Sequence, residues 1–157
     1  IAHRAGTLVV LNPAPAAGIP DEALAMVDFV TPNETEAQLL TGVEVKNADD
    51  AKRAAEHFLK KGVKNAVITL GAMGAFATDG RRSELVGRLD VDAVDTTGAG
   101  DAFNGGFAAA LSEGKDLFTA LRFGNVTGAL SVTRHGTAPS MPGRDEILAF
   151  YRANYGE

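Results

Sequence analysis

Short, continuous apolar runs alternate with segments of helical character over the first 70 residues. Residues 8–11, 29–30 and 66–70 are such runs, and Asn12, Pro13 and Pro15 close the first one with a turn. Runs of this length without polar alternation are typical of strands that a parallel sheet buries on both faces. Residues 49–61 between them predict an amphipathic helix that ends at Gly62. The alternation predicts an α/β domain whose helices pack on a parallel sheet.

The pattern changes after residue 70. Residues 75–78 predict a strand that ends at the Asp79-Gly80 hairpin signal, and residues 85–89 and 91–94 predict two further strands. The remaining chain predicts three helices, over residues 101–111, 117–133 and 145–155. We therefore expect a three-layer α/β/α arrangement around a mostly parallel sheet with an antiparallel edge. Ligands of such sheets bind at the carboxyl ends of the strands.

Composition excludes several classes of partner. The 157 residues are 45% apolar and 22% charged, and no apolar run approaches the ~20 residues that a membrane span needs. The net charge of -5 argues against nucleic acid, whose phosphates require a basic face. It does not exclude an anionic nucleotide, which local backbone dipoles can bind. The absence of cysteine excludes disulfides and favours a cytoplasmic setting.

Two glycines stand directly before a predicted helix, with a carboxylate in the same turn. The sequence there is Asp95-Thr96-Thr97-Gly98-Ala99-Gly100-Asp101. Glycines at a helix start let the backbone approach an anion closely, and the first helical amides point at it. A carboxylate beside that anion can accept a proton from an attacking hydroxyl, as phosphoryl transfer requires. The alternative is an ordinary loop in which Asp101 caps the helix.

Residues 95–103 resemble the signature of the PfkB-type (ribokinase-like) carbohydrate kinases. Residues 11–16, 31–36, 69–74 and 133–142 resemble further segments of that family in the same order, so the resemblance covers nearly the whole chain. The first and last of these segments lean toward the ribose-phosphorylating members. The resemblance implies ATP-dependent phosphorylation of D-ribose to D-ribose 5-phosphate, with Mg²⁺ and K⁺ as cofactors.

A role for each matching residue follows from the resemblance. Asp101 is implied as the catalytic base and as a contact to the sugar. The resemblance also implies an anion hole formed by the backbone of Gly98, Ala99 and Gly100. The ATP-binding residues that it implies are Asn33, Thr69, Leu70, Gly71, Ala72, Met73, Gly74, Gly100, Asp101 and Asn125. Glu36 is implied to order magnesium-bound water.

A potassium ion is implied by the same resemblance. Its ligands would be Asp95, Thr97, Ser131, Arg134, Gly136 and Ser140. Arg134 would contribute its carbonyl, since a guanidinium cannot ligate a cation. A hard cation favours several oxygen ligands of this kind, and it would hold the anion-hole loop in shape. The alternative is an ordinary loop after a helix.

Other roles stay open for several of these residues. Asn33 and Glu36 also fit a capping box, in which each side chain accepts a hydrogen bond from the backbone amide of the other residue. Residues 69–74 fit a plain tight turn. Asn125 fits a solvated or capping asparagine, and Asp95 is a rival to Asp101 as the base.

The beginning of the chain predicts a fragment. Residues 1–6 are typical of the last turn of a helix that Gly6 ends. The family resemblance then places residues 1–157 in the C-terminal nucleotide-binding and catalytic part, without the N-terminal half that grips the sugar. We expect the full-length protein to dimerise through the lid in that half. Kinases of fructose, deoxyribose, a phosphosugar or a nucleoside, and a non-catalytic nucleotide-binding fragment, remain alternatives.

Overall fold

The computed structural model describes residues 1–156, and its five strands form one mixed sheet. In order across the sheet these are β1 (Val10–Leu11), β2 (Phe29–Val30), β3 (Asn65–Thr69), β4 (Ala75–Thr78) and β5 (Ser83–Val86). The β1–β2 and β2–β3 pairs are parallel, whereas β4 runs antiparallel to β3. The predicted parallel sheet with an antiparallel edge is confirmed.

Six α-helices and three short 3-10 turns complete the described chain. The helices are α1 (Asp21–Leu24), α2 (Glu34–Thr41), α3 (Ala48–Lys60), α4 (Ala99–Ser112), α5 (Leu117–Ser131) and α6 (Arg144–Tyr155). The 3-10 turns are His3–Ala5, Gly71–Met73 and Ala138–Ser140. Among residues 1–156, no helix combines the length and apolar character that crossing a membrane requires. The chain divides into two compact units, residues 1–85 and 86–157.

The core of the first unit lies between the sheet and helices α1 to α3. Ala66 and Ile68 of β3 face this core together with Phe58 of α3, and all three are at most 1% exposed. Val67 is also fully buried although it does not belong to this cluster. Because successive side chains of a strand point to opposite faces, β3 is buried on both faces, as its uninterrupted apolar sequence predicts.

A buried carboxylate joins the first three strands near their amino ends. Asp28 directly precedes β2, and its two oxygens accept from the amide of Val9 at 2.8 Å and from Nζ of Lys64 at 2.7 Å. Burial raises the pKa of Asp28, but the hydrogen bonds from Lys64 and Val9 outweigh it, so the pKa lies below its ordinary value. This contact holds the strands in register without contributing to the candidate site.

The second unit contains a close helix pair. Small residues let α4 and α5 approach, since a Cβ on Gly124 would lie 3.0 Å from the ring of Phe103. A Cβ on Gly128 would lie 3.3 Å from the carbonyl oxygen of Ala99. Helix α6 then packs on α5 through a cluster that includes Val126 and Phe150.

Two predicted elements differ from the structure. The strand predicted over residues 85–89 lies earlier, at Ser83–Val86, and the strand predicted over 91–94 does not form. Val94 is 51% exposed, and its amide donates to the carbonyl of Val132 at 2.7 Å rather than to a strand. Alternating aspartates leave this segment too little apolar surface to bury, so the end of α5 holds it as a loop.

Candidate functional site

The beginning of α4 presents Asp101 to solvent. Gly98 is the N-cap in a left-handed conformation with φ of 77°, so Ala99 begins the helix and Asp101 is its third residue. No side chain within residues 1–156 caps this helix, and the interpretation of Asp101 as a cap is therefore wrong. The Asp101 carboxylate is exposed and has no hydrogen bond or ion pair to any residue within 1–156. It is free to contact a ligand.

The amides at this helix start differ in their availability. The Ala99 amide donates to the carbonyl of Thr96 at 3.2 Å, which the sequence did not indicate. The amides of Gly100 and Asp101 have no backbone acceptor within residues 1–156, as expected for the first turn of a helix. Together with the N-terminal end of the helix dipole, these two amides favour an anion.

Two residues that sequence reasoning missed support this turn. Nδ2 of Asn104 donates to the Gly100 carbonyl at 2.9 Å and fixes that peptide from one turn further along α4. A Cβ on Gly98 would lie 3.1 Å from Cγ2 of Thr137, so the turn packs closely against the 137–140 segment. The spacing of four residues between Gly100 and Asn104 on a helix could have indicated the first contact, whereas the second joins distant parts of the chain.

Asp95 holds the loop of the predicted anion hole to a second loop. Its Oδ2 accepts from the amide of Gly136 and its Oδ1 from the amide of Thr97, both at 2.9 Å. The hydrogen bond from the Gly136 amide, followed by those from Thr97, lowers the pKa of Asp95 to about 2. The amides of Val94 and Asp95 donate in turn to the carbonyl of Val132. The structure thus brings together the two loops predicted to form the potassium site.

The remaining predicted potassium ligands lie on the second of these loops or at its start. Ser131 and Ser140 are both buried, and their hydroxyls donate to the carbonyls of Gly128 and Thr137. The Arg134 guanidinium pairs with Glu146 and takes no part in the loop contacts. Within residues 1–156, no cluster of three or more His, Cys, Asp or Glu side chains could hold a metal ion. Any ion here would depend on Asp95 and on backbone carbonyls.

The capping box predicted at the start of α2 forms in the first unit. Asn33 Oδ1 accepts from the amide of Glu36 and Glu36 Oε2 accepts from the amide of Asn33, both at 2.9 Å. Asn33 also pairs with Thr69 as an isolated parallel bridge, and the Thr69 amide donates to Pro32 at 3.0 Å. The turns after β2 and β3 therefore lie side by side.

The predicted nucleotide loop is a tight turn after β3. The Leu70 amide donates to the carbonyl of Gly74 at 2.8 Å, and the Met73 amide donates to that of Leu70. Gly71 and Gly74 have φ of 49° and 96°, which L side chains rarely adopt. Gly71, Ala72 and Met73 are exposed at the tip of the turn. The turn interpretation is confirmed, and it leaves the tip open to a ligand.

Asn125 on α5 has structural partners in the second unit. Its Nδ2 donates to the carbonyl of Gly87 at 2.9 Å and to Oη of Tyr155 at 3.2 Å. The carboxamide nitrogen is therefore committed to the protein. Asn33, Glu36 and the 69–74 turn belong to the first unit, whereas Asn125 and the α4 start belong to the second.

The comparisons with known proteins agree with this fold and these motifs. The family model of the pfkB family carbohydrate kinases matches residues 1–144. The chain belongs to this family.

The chain is also similar to characterised proteins. It is 49% identical over 150 residues to the ribokinase of Haemophilus influenzae, covering 96% of this chain and 49% of that protein. The structure of Arabidopsis thaliana ribokinase complexed with ribose and ATP matches with a TM-score of 0.89 and 35% identity, over 96% of this chain and 49% of that one. Phosphofructokinase-2 of Escherichia coli in complex with potassium matches with a TM-score of 0.80 and 26% identity, over 97% and 49%. The chain thus spans about half the length of these relatives.

Proposed function

We propose that this chain is the nucleotide-binding and catalytic part of an ATP-dependent carbohydrate kinase that converts D-ribose to D-ribose 5-phosphate. One observation carries the proposal. The exposed Asp101 carboxylate has no partner among the described residues, and it stands in the same helical turn as the amides of Gly100 and Asp101, which have no backbone acceptor. The proposed base and the proposed anion hole are thus adjacent.

These groups have matched tasks in phosphoryl transfer. Asp101 would accept the proton of the attacking sugar hydroxyl while that oxygen bonds to the terminal phosphorus and ADP leaves with the bridging oxygen. The two amides would donate to the phosphoryl oxygens as their charge develops. A positioned base contributes about 10²–10⁴-fold to such a rate. Asp95 is the weaker candidate for the base, because both its oxygens already accept amide hydrogen bonds.

Further residues are proposed to contact the nucleotide. In the first unit, the turns at Asn33 and 69–74 offer exposed backbone at the carboxyl ends of adjacent parallel strands, which is where α/β sheets bind ligands. Glu36 fits water-mediated contact with magnesium, since only its Oε2 is engaged in the capping box. Bound Mg²⁺ would neutralise phosphate charge. In the second unit, Asn125 is the proposed contact to the base of ATP.

A potassium ion fits the residues around Asp95. The amides of Thr97 and Gly136 and the Thr97 hydroxyl donate to the Asp95 carboxylate, and its two oxygens offer about four lone-pair sites, so one remains for a cation. Carbonyls of Ser131, Arg134 and Gly136 would complete an oxygen-only set of the kind that hard cations prefer. Such an ion would supply positive charge beside the loop that carries the anion hole. Thr97 and Ser140, on the same two loops, are the remaining proposed ligands.

The choice of ribose rests on the relatives, since the H. influenzae protein is a ribokinase and the A. thaliana structure contains ribose and ATP. Another sugar kinase activity is the alternative. A panel of D-ribose, 2-deoxyribose, fructose, fructose 6-phosphate and adenosine, assayed with the full-length protein that contains this sequence, distinguishes them. A preference for any other acceptor over D-ribose would reject the ribose assignment while leaving the kinase class intact.

Asp101 is the residue whose substitution tests the mechanism. In the full-length protein, we expect Asp101→Asn to lower kcat by about 10²-fold or more and to change the Kd of Mg-ATP by less than about threefold. Asp145→Asn is the matched control, because Asp145 is also an exposed carboxylate in the first turn of a helix. Equal turnover by wild type and Asp101→Asn would reject the assigned base.

The 157-residue chain alone is proposed to lack sugar kinase activity. Positioning of both reactants supplies much of the rate in phosphoryl transfer, and the relatives are about twice as long. Measurable phosphorylation of D-ribose by this chain would contradict the proposal. We further propose that the full-length protein is a dimer, which its mass in solution would test.

A further inference from the structure

The peptide that joins Gly100 to Asp101 is held at its carbonyl end. Gly100 lies within α4, so the α-helical pattern pairs its carbonyl oxygen with the backbone amide of Asn104, four residues further on. Nδ2 of Asn104 donates to the same oxygen at 2.9 Å. A carbonyl oxygen has two lone pairs, and Asn104 therefore occupies both of them.

The other end of this peptide belongs to the proposed anion hole. Its N–H is the amide of Asp101, which has no backbone acceptor within residues 1–156. A hydrogen bond to the carbonyl of a peptide draws electron density from its nitrogen, which makes the N–H a stronger donor by roughly 10–30% per bond. The contact from Asn104 thus orients the Asp101 amide and also strengthens it.

The part of α4 that carries Asn104 is anchored on its buried face. The ring of Phe103 stacks on that of Phe107 with centroids 6.1 Å apart, and both rings are buried. A Cβ on Gly124 would lie 3.0 Å from the Phe103 ring, so α5 packs closely against the residue that precedes Asn104. Asn104 itself is half-buried. Its carboxamide therefore braces the exposed first turn from a backbone that packing fixes.

We propose that Asn104 is a positioning residue for phosphoryl transfer, which holds and polarises the peptide between Gly100 and Asp101. This inference rests on the proposed function. The Asp101 amide would donate to phosphoryl oxygens whose negative charge grows during the reaction. A stronger donor then stabilises the transition state more than the bound substrates. Loss of the side-chain donor should accordingly lower kcat and leave KM nearly unchanged.

Substitution of Asn104 by threonine or by valine separates the hydrogen bond from the shape of the side chain. Both side chains are branched at Cβ and have similar helix propensities, but only threonine carries a hydroxyl. In this chain the hydroxyls of Thr41 and Thr127 each donate to the carbonyl four residues earlier, at 2.6 and 2.7 Å. Asn104→Thr can therefore keep a donor on the Gly100 carbonyl, whereas Asn104→Val cannot.

Steady-state kinetics of the full-length protein that contains this sequence, with Mg-ATP and its preferred sugar, tests the inference. In Asn104→Val, kcat should be about tenfold below wild type, which is less than the loss of a whole anion-hole donor causes. The KM of each substrate should stay within about twofold. Asn104→Thr should recover kcat to within about threefold of wild type, and the Tm values of the two variants should agree within about 2 °C. Asn104→Ser and Asn104→Ala repeat the comparison with smaller side chains.

Asn154→Val is the matched control. Nδ2 of Asn154 donates to the Phe150 carbonyl at 2.9 Å, which is the same contact four residues back, but in α6. This variant should keep the wild-type kcat. Equal kcat values in both pairs of Asn104 variants, or a change in KM alone, would overturn the inference, and a kcat that still falls in Asp101→Asn would leave the kinase proposal intact. If wild type phosphorylated no sugar of the panel, the proposed function would fail and this inference with it.

Discussion

The Asp95 carboxylate accepts a hydrogen bond from the amide of Gly136 at 2.9 Å, across 41 residues of sequence. It joins the loop before α4 to the loop after α5. Gly136 has φ of 86°, and this left-handed conformation is open to glycine at little cost. The charge on Asp95 and the backbone freedom of Gly136 together set the position of the turn that carries Gly98 and Asp101.

This contact predicts a defined acid sensitivity. The pKa of Asp95 is about 2 in the folded chain and 3.8 in its ordinary state. A depressed folded pKa contributes stability that is fully present above about pH 4 and is lost as the pH falls through about 2. We expect the Tm of wild type to fall more steeply between pH 4 and pH 2 than the Tm of Asp95→Asn.

The NMR chemical shift of the Gly136 amide proton, measured as a function of pH, would show that the effect arises at this contact. In wild type the amide proton should titrate with a midpoint near pH 2, and in Asp95→Asn this titration should vanish. Asp92→Asn, an exposed carboxylate three residues earlier, serves as control and should retain it. If the Gly136 amide shift had the same pH dependence in wild type and in Asp95→Asn, the loops would be joined by other contacts.

The strands and the site motifs differ in how far sequence predicts them. Buried runs such as residues 66–70 have a strong local signal, because apolar continuity and strand length agree, and β3 forms there. The segment 91–94 was also predicted as a strand but has no partner strand in the described chain, and strand pairing depends on distant residues. The capping box of Asn33 and Glu36 is local, and the sequence offered it at these two residues as an alternative to a ligand-binding role.

Contacts between distant loops are what the sequence leaves out. The family resemblance singled out Asp95 and Gly136, but the hydrogen bond between them depends on how α4 and α5 pack. The partners of Asn125 are likewise 38 and 30 residues away. No periodicity encodes such pairs, since they arise only once the helices are in place.

The packing of α4 on α5 predicts opposite outcomes for two adjacent glycines. A Cβ on Gly106 would lie 2.1 Å from Thr127 Oγ1 and 3.0 Å from the carbonyl oxygen of Phe123, so alanine there forces the helices apart. We expect Gly106→Ala to lower the free energy of unfolding by about 1–3 kcal/mol. Among residues 1–156, no atom other than the chain neighbours and the helix's own backbone lies within 4 Å of a Cβ built on Gly105. Gly105→Ala should raise the free energy by about 0.5–1 kcal/mol through its helix propensity.

Urea unfolding of the two variants measures this difference directly. Both substitutions add the same methyl group to the same helix, so their unfolded states change equally. Similar stabilities of the two variants would mean that α4 and α5 are less closely packed than the contact of Gly106 with Thr127 requires.

Glu36 allows its structural and metal roles to be separated by one substitution. Its Oε2 accepts the Asn33 amide in the capping box, and glutamine can provide the same acceptor without charge. We expect Glu36→Gln to retain the wild-type Tm within about 1 °C, since the cap survives, while weakening magnesium-dependent ATP binding. Glu36→Ala removes both the acceptor and the charge, and it should lose about 0.5–2 kcal/mol of stability as well.

Thermal unfolding without nucleotide, paired with Mg²⁺ titration of ATP binding, reports the two roles independently. Glu44→Gln is the matched control, because Glu44 is an exposed glutamate of the same unit whose partner is Lys46 on the surface. Should Glu36→Gln bind Mg-ATP as tightly as wild type, Glu36 would be a capping residue alone. The magnesium would then have to be ordered by phosphate oxygens and water without this carboxylate, because the capping box accounts for the hydrogen bond that the Glu36 carboxylate makes in the described chain.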